Sequence, residues 1–222
     1  MKILIYTDSR GEHKNSYSQQ LIFTEKIHKS FECKTFLCPH KWTTTLDFIQ
    51  LIEESKLKPE SFDKIILYTG VVEYSPRPLS NFRLAYNTKK HFFEKFLGKV
   101  ADLENTYECE YGGEKTKSLV DLDSHKNIIV PYLQQLKDKL IFINTNKIVP
   151  NWEGNYLRVN PIGRPKNINI VSDYSKETLN KFSNLINLLE WNDEEVRKYT
   201  VDNMHLTLEG SEFIYEKILE FL

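Results

Sequence analysis

Apolar residues follow two different rhythms along this chain. Five short runs are apolar enough for buried strands: Ile3 to Tyr6, Cys33 to Leu37, Lys64 to Tyr68, Leu140 to Asn144 and Leu185 to Leu188. Between them the spacing changes to that of amphipathic helices. Thr45, Phe48, Ile49 and Ile52 fall at i, i+3, i+4 and i+7, as do Ile129, Tyr132, Leu133 and Leu136. Ile214, Ile218 and Phe221 mark one face of a final helix. Strands that alternate with helices predict a parallel sheet covered on both faces. Right-handed crossovers then bring the strand C-termini to a common edge, where ligands bind. Ser9 falls on that edge, and so does Gly70 after the third strand.

Two stretches break the alternation. Residues 99 to 124 contain Tyr107, Tyr111, Gly112-Gly113 and many charges. They are expected to form a partly helical, solvated insertion near the edge rather than a lid or an oligomer contact. Residues 146 to 167 carry Pro150, Trp152, Gly154, Pro161, Gly163 and Pro165, a long loop of a kind that is often functional. Its Trp152 and Tyr156 suit either an apolar or sugar-stacking wall or simple loop packing.

Composition narrows the class. The chain has 222 residues, enough for one well-buried α/β domain spanning 1–222 and short for two. A formal net charge of −1, with Lys and Arg spread along the chain, provides no electrostatic case for nucleic acid or a membrane surface. Cys33, Cys38 and Cys109 are isolated, which suggests a reducing compartment and no disulfide framework. The first apolar run is too short for a signal peptide and is interrupted by Asp8. No run approaches the roughly 18 apolar residues of a membrane span. The expectation is a soluble, cytoplasmic protein. No His-Glu-x-x-His or similar ligand spacing is present, so no metal or organic cofactor is expected.

The candidate chemistry sits at the two ends. Thr7-Asp8-Ser9-Arg10-Gly11 follows the first strand, and Asp202-Asn203-Met204-His205-Leu206-Thr207-Leu208-Glu209-Gly210 precedes the last helix. A serine hydroxyl needs a base within hydrogen-bond reach to act as a nucleophile. An imidazole suits that role, and a carboxylate behind it fixes the tautomer and stabilises the imidazolium. The three-residue separation lets Asp202 reach one ring nitrogen of His205 while the other faces out.

This arrangement resembles the SGNH (GDSL-type) hydrolase family. There the nucleophile follows strand one, and the Asp and His lie three residues apart before the last helix. The first motif departs from Gly-Asp-Ser only at Thr7, and His205-Leu206-Thr207 with Gly210 closely matches the family's last block. The resemblance covers nearly the whole chain in its order of elements. It implies a three-layer α/β/α sandwich around a five-stranded parallel sheet, flavodoxin-like in type. It also implies a catalytic set of Ser9, Asp202 and His205.

The middle blocks depart. The family commonly uses a Gly after strand two and an Asn after strand three as oxyanion donors. Here the segments are Pro39-His40-Lys41-Trp42-Thr43-Thr44-Thr45, without Gly, and Gly70-Val71-Val72-Glu73, with Val72 where the Asn would be. Losing one such donor typically costs about 100- to 1000-fold in rate. The backbone amide of Ser9 or Arg10, together with Gly70, Glu73 and Arg77, are the candidates for oxyanion or substrate contacts. Arg77 lies between Pro76 and Pro78, and a Glu73–Arg77 ion pair is its plain structural alternative. The Gly-Val-Val-x-x-x-Pro-Arg-Pro form also looks like a subgroup linked to bacterial surface-polysaccharide biosynthesis.

The resemblance thus implies hydrolysis of a small acyl ester, such as O-acetyl, on a small molecule or carbohydrate. An acyltransferase would use the same triad. The alternative from another class is a catalytically silent domain that binds a glycan or a protein. A flavodoxin-like nucleotide-binding domain fits poorly, because only Gly11 stands in the loop after strand one.

Overall fold

A computed structural model describes residues 1–13, 20–98, 107–154 and 163–222. The strands are β1 (Lys2–Thr7), β2 (Glu32–Leu37), β3 (Lys64–Tyr68), β4 (Arg77–Pro78), β5 (Tyr107–Tyr111), β6 (Glu114–Lys117), β7 (Leu140–Ile143) and β8 (Leu185–Ile186). The helices are α1 (Phe23–Ser30), α2 (Thr45–Glu53), α3 (Val71–Tyr74), α4 (Leu79–Leu97), α5 (Leu122–Ser124), α6 (Val130–Gln134), α7 (Ile170–Lys176), α8 (Asp193–Tyr199) and α9 (Leu208–Leu219).

The five predicted strands form one parallel sheet in the order β2-β1-β3-β7-β8. Strand alternation sorts their side chains into two cores. Leu4, Tyr6, Ile65, Leu67 and Phe142 face a layer built with residues of α2, α4, α6 and α7. Ile3, Ile5, Ile66, Tyr68, Ile141 and Ile143 face the opposite layer, built with α1, α8 and α9. The result is the α/β/α sandwich, and the continuous apolar runs are explained by burial on both faces.

In sheet order the strands read 2-1-3-4-5, so the chain reverses direction across the sheet between β1 and β3. In open α/β sheets that switch point opens a crevice at the strand C-termini. The turn after β1 and the turn after β3 flank it.

Helix α4 has no counterpart among the sequence-predicted helices. Its inward stripe runs through Phe82, Ala85, Tyr86, Lys89 and Phe93, so a lysine interrupts the apolar periodicity. Lys89 is buried there against Asp47 of α2, with Nζ 2.5 and 2.6 Å from the two carboxylate oxygens. Residues 107–117, inside the expected insertion, form an antiparallel hairpin of β5 and β6 that pairs with β4 at Arg77↔Lys117. Residues 99–106 of that stretch lie outside the described residues. No helix among the described residues is long and apolar enough to cross a membrane.

His125, in a π turn over His125–Ile129, is fully buried between α3 and α7. Its Nε2 lies 3.1 Å from the Tyr174 carbonyl and its Nδ1 lies 2.8 Å from the Tyr74 hydroxyl. A carbonyl only accepts, so Nε2 carries the proton and Nδ1 accepts from Tyr74. Burial depresses the imidazole to about 4. The unfolded chain, titrating near 6.5, therefore takes up this proton first as pH falls. His125 contributes stability that is present above about pH 6.5 and lost toward pH 4, of order 3 kcal/mol in full. Urea unfolding at pH 7 and pH 5 should show a larger acid loss in the parent than in His125→Gln. Equal losses in the two proteins would show that His125 is not held neutral by the fold.

Candidate active site

Ser9 occupies the first position of a 3₁₀ turn, Ser9–Gly11, at the end of β1. The turn is held by an ion pair inside the protein. Asp8 caps it, accepting from the Arg10 amide at 3.0 Å. The same carboxylate takes the Arg10 guanidinium in a fork, Nε to Oδ1 at 2.9 Å and Nη2 to Oδ2 at 2.9 Å. Both side chains are 1% exposed. The guanidinium lies 3.9 Å from the Tyr68 ring centroid, a cation–π contact with β3. Burial disfavours the Arg10 charge, but Asp8 more than offsets this and holds its pKa above the ordinary value.

The opposite wall comes from the loop between α8 and α9. The loop is closed at its neck by Val201 N to His205 O at 2.8 Å and Thr207 N to Tyr199 O at 2.9 Å. Asp202 Oδ1 accepts from the amides of Met204 and His205 at 3.1 and 2.8 Å, forming an Asx turn. This leaves Oδ2 to reach the His205 Nδ1 at 2.8 Å. His205 Nε2 lies 2.9 Å from Ser9 Oγ. With a carboxylate behind Nδ1, that nitrogen carries the proton and Nε2 accepts from the Ser9 hydroxyl. Burial raises the Asp202 pKa, but hydrogen bonds and charge from His205, together with Arg164, outweigh it and hold the carboxyl below its usual range.

The start of α9 explains the close of that last segment. Thr207 caps the helix by accepting from the Gly210 amide at 3.0 Å. A Cβ at Gly210 would meet the Tyr199 carbonyl oxygen at 2.1 Å, so only glycine lets the helix pack this close to the loop neck.

Two residues outside the expected set support the Asp202 loop. Arg164, 7% exposed, contacts the Asp202 carbonyl and approaches Oδ2 at 3.6 Å. Asn203 is buried with φ +70; its Oδ1 accepts from the Val149 amide at 2.8 Å, and its own carbonyl accepts from Asn146 Nδ2 at 2.8 Å. Both bind the long loop after β7 to the turn carrying Asp202 and His205. Only the Pro- and Gly-rich length of that loop hinted at this. Trp152 packs half-buried against the core of α1, α8 and α9, and its carbonyl accepts from Asn203. Tyr156 lies outside the described residues.

The remaining expectations need correction or detail. The Arg10 amide is committed to Asp8, so it is not a spare oxyanion donor, and its guanidinium is too buried to meet a substrate. The Ser9 amide donates to no acceptor among the described residues. Glu73 is fully buried, with Oε1 accepting from the Thr45 amide at 2.7 Å. It contacts no surface where a sugar hydroxyl would lie and makes no ion pair with Arg77. Burial pushes its carboxyl up to about 7, against the lowering effect of the Thr45 hydrogen bonds. Its role here is to tie the loop after β2 to α3. Gly70 caps α3 at φ +125, where a Cβ would meet the Tyr74 ring at 2.9 Å, so the turn after β3 requires glycine. Arg77 is half-buried, and its Nη2 donates to the Val72 carbonyl. The cation is thereby held at Val72, where the resemblance would place an Asn.

Sequence comparison finds no matching protein-family model and no match among curated proteins. Structure comparison does find likenesses over nearly the full chain. The lipase/acylhydrolase from Enterococcus faecalis superposes with a TM-score of 0.51 at 12% identity, covering 99% of this chain and 94% of that one. LAE5, an alpha/beta hydrolase enzyme from the metagenome of Lake Arreo, Spain, superposes with a TM-score of 0.51 at 11% identity, covering 99% and 93%. The fold they share is the three-layer α/β/α sandwich around a parallel five-stranded sheet, the architecture that the resemblance implied. At these identities the likeness is one of architecture. This architecture brings the first-strand turn and the last-helix loop together, although 196 residues separate Ser9 from His205. Among the described residues no group of three or more His, Cys, Asp or Glu side chains could hold a metal ion.

Proposed function

We propose that this protein is an esterase-type serine hydrolase with Ser9 as nucleophile, His205 as general base and acid, and Asp202 as the group that orients and stabilises the imidazole. The single observation that carries the reading is the hydrogen-bonded line Ser9 Oγ–His205 Nε2, 2.9 Å, and His205 Nδ1–Asp202 Oδ2, 2.8 Å. These are the distances at which a proton passes between such groups. In this mechanism Ser9 Oγ attacks the ester carbonyl carbon as its proton moves to His205 Nε2. The alcohol leaves with that proton, giving an acyl-Ser9 ester. Water then attacks, His205 takes one of its protons and returns it to Ser9, and the acid departs.

Charge on the carbonyl oxygen needs donors. The Ser9 amide, without an acceptor among the described residues, is one. Arg77, anchored on the Val72 carbonyl, is the second in this proposal and stands in for the absent Asn side chain. The substrate is a small acyl ester, with an O-acetyl group on a carbohydrate as its specific form. A sugar hydroxyl in place of water would make the same site an acyltransferase.

A silent binding domain is the second reading. It is favoured by Val72 and by the commitment of the Arg10 amide to Asp8. A fluorophosphonate probe separates the two. Labelling of the parent at Ser9, located by peptide mass, is expected. Asp202→Asn should slow labelling by at least about a thousandfold, because the ring loses its correct tautomer. Absence of labelling would favour the binding domain, and full reactivity in Asp202→Asn would remove Asp202 from the mechanism.

A further inference from the structure

The edge that carries Ser9 has a concavity on its β2 side. A cleft of about 630 Å³ lies between the loop after β2 and the middle of α4, lined by residues 39–42 and 87–92 with Asp47 and Gln50 of α2. Its first wall is tied to the candidate active site. Cys38 N donates to Thr7 O at 2.8 Å, two residues before Ser9, and Thr45 N donates to Glu73 at 2.7 Å.

The charges of the cleft are one-sided. Lys41 and Lys90 are exposed on it, as are His40 and His91. Lys41 Nζ lies 4.7 Å from the Trp42 ring centroid, which confines the ammonium near the wall. Among the described residues Lys90 has only a 3.8 Å approach to Glu94 outside the lining, an exposed pair of little strength. Asp47 is the one carboxylate among the described lining residues, and it is saturated. It is 5% exposed, with both oxygens taken by Lys89 and Oδ2 also accepting from the Thr44 amide and hydroxyl at 2.7 and 2.8 Å. Among the described lining residues no carboxylate is left to answer the lysines, in a chain whose overall net charge is −1. A concave wall of one sign attracts and concentrates ligands of the other.

We propose that this cleft binds a small organic anion, a carboxylate or phosphate carried on a hydroxylated skeleton. Lys41 and Lys90 supply the charge-assisted hydrogen bonds. The amide of Asn87, which both donates and accepts, and the carbonyl oxygen of Gln50, whose Nε2 donates to Glu54 at 2.6 Å, suit the hydroxyls. Binding there does not depend on turnover. Its use to hold the charged end of an ester substrate rests on the hydrolase reading.

The test is an amide-shift titration of the ¹⁵N-labelled full chain at fixed ionic strength with glucuronate, glucose 6-phosphate and, as neutral control, glucose. Saturable shifts at residues 40–42 and 87–91 are expected with at least one anion and not with glucose. Which anion responds identifies the charged group. Lys41→Ala/Lys90→Ala, two exposed positions, should weaken binding at least tenfold, about 1.4 kcal/mol. No saturable shift with either anion, shifts elsewhere on the molecule, or unchanged affinity in the double variant would overturn the proposal. None of these outcomes would alter hydrolysis of a neutral aryl ester, and an inactive Ser9 would not alter this titration.

Discussion

Ser9→Ala is expected to abolish hydrolysis of a short-chain aryl ester and to leave the fold intact. The side chain is half-buried, and among the described residues its hydrogen bond is to His205, so its loss disturbs no packed core. Without Oγ there is no acyl-enzyme, and in comparable triads removal of the nucleophile costs about a million-fold in kcat. The measurement is the steady-state rate of the purified variant against the parent, with circular dichroism and thermal melting as controls. Retention of more than about a tenth of the rate would rule out a covalent Ser9 mechanism. The Asp8–Arg10 pair keeps the turn in shape in both proteins, which makes the comparison clean.

That pair is the source of the second large effect. Asp8→Asn keeps an oxygen to cap the Arg10 amide but removes the charge facing a guanidinium that is 1% exposed. Breaking one side of a buried pair typically costs about 3–5 kcal/mol, because the remaining charge is left uncompensated. In a chain of this size each kcal/mol lowers the melting temperature by about 2–4 °C, so a fall of roughly 6–20 °C is expected. Asp8→Asn/Arg10→Met removes both charges and should recover much of that loss, since buried pairs replaced by apolar groups are often neutral. Recovery of stability without recovery of esterase rate is the result that would mark the pair as positioning the nucleophile's turn. A melting temperature within about 2 °C of the parent in Asp8→Asn would show that the pair does not hold the turn.

Much of this molecule was legible from the chain alone, and the reason is local physics. Strands buried on both faces appear as unbroken apolar runs, and each of the five is in the sheet. Thr45, Phe48, Ile49 and Ile52 mark α2 because one face of that helix is apolar without interruption. The Asp202–His205 contact needs only a three-residue turn, so spacing implies it. Gly210 stood out in the chain only through the matched last block; that its helix start tolerates no Cβ beside the Tyr199 carbonyl comes from the packing.

What only the tertiary structure decided involves charges whose partners are remote in sequence or whose burial depends on the whole fold. Helix α4 was hidden because Lys89 occupies its inward stripe, and the partner that permits this, Asp47, is 42 residues away. Arg164 acts on Asp202 from 38 residues away, through a loop whose sequence carries no periodicity. Arg10 stands beside Asp8 in the chain, yet the depth of the pair under β3 turns it from a surface cation into an internal brace. Glu73, a candidate for oxyanion or substrate contact in the sequence, is buried because α2 and α3 close over it and the Thr45 amide satisfies one of its oxygens. A residue's polarity indicates that it needs a partner. Whether that partner is water, substrate or another part of the chain depends on which elements pack around it, and that is set by the packing of the whole fold.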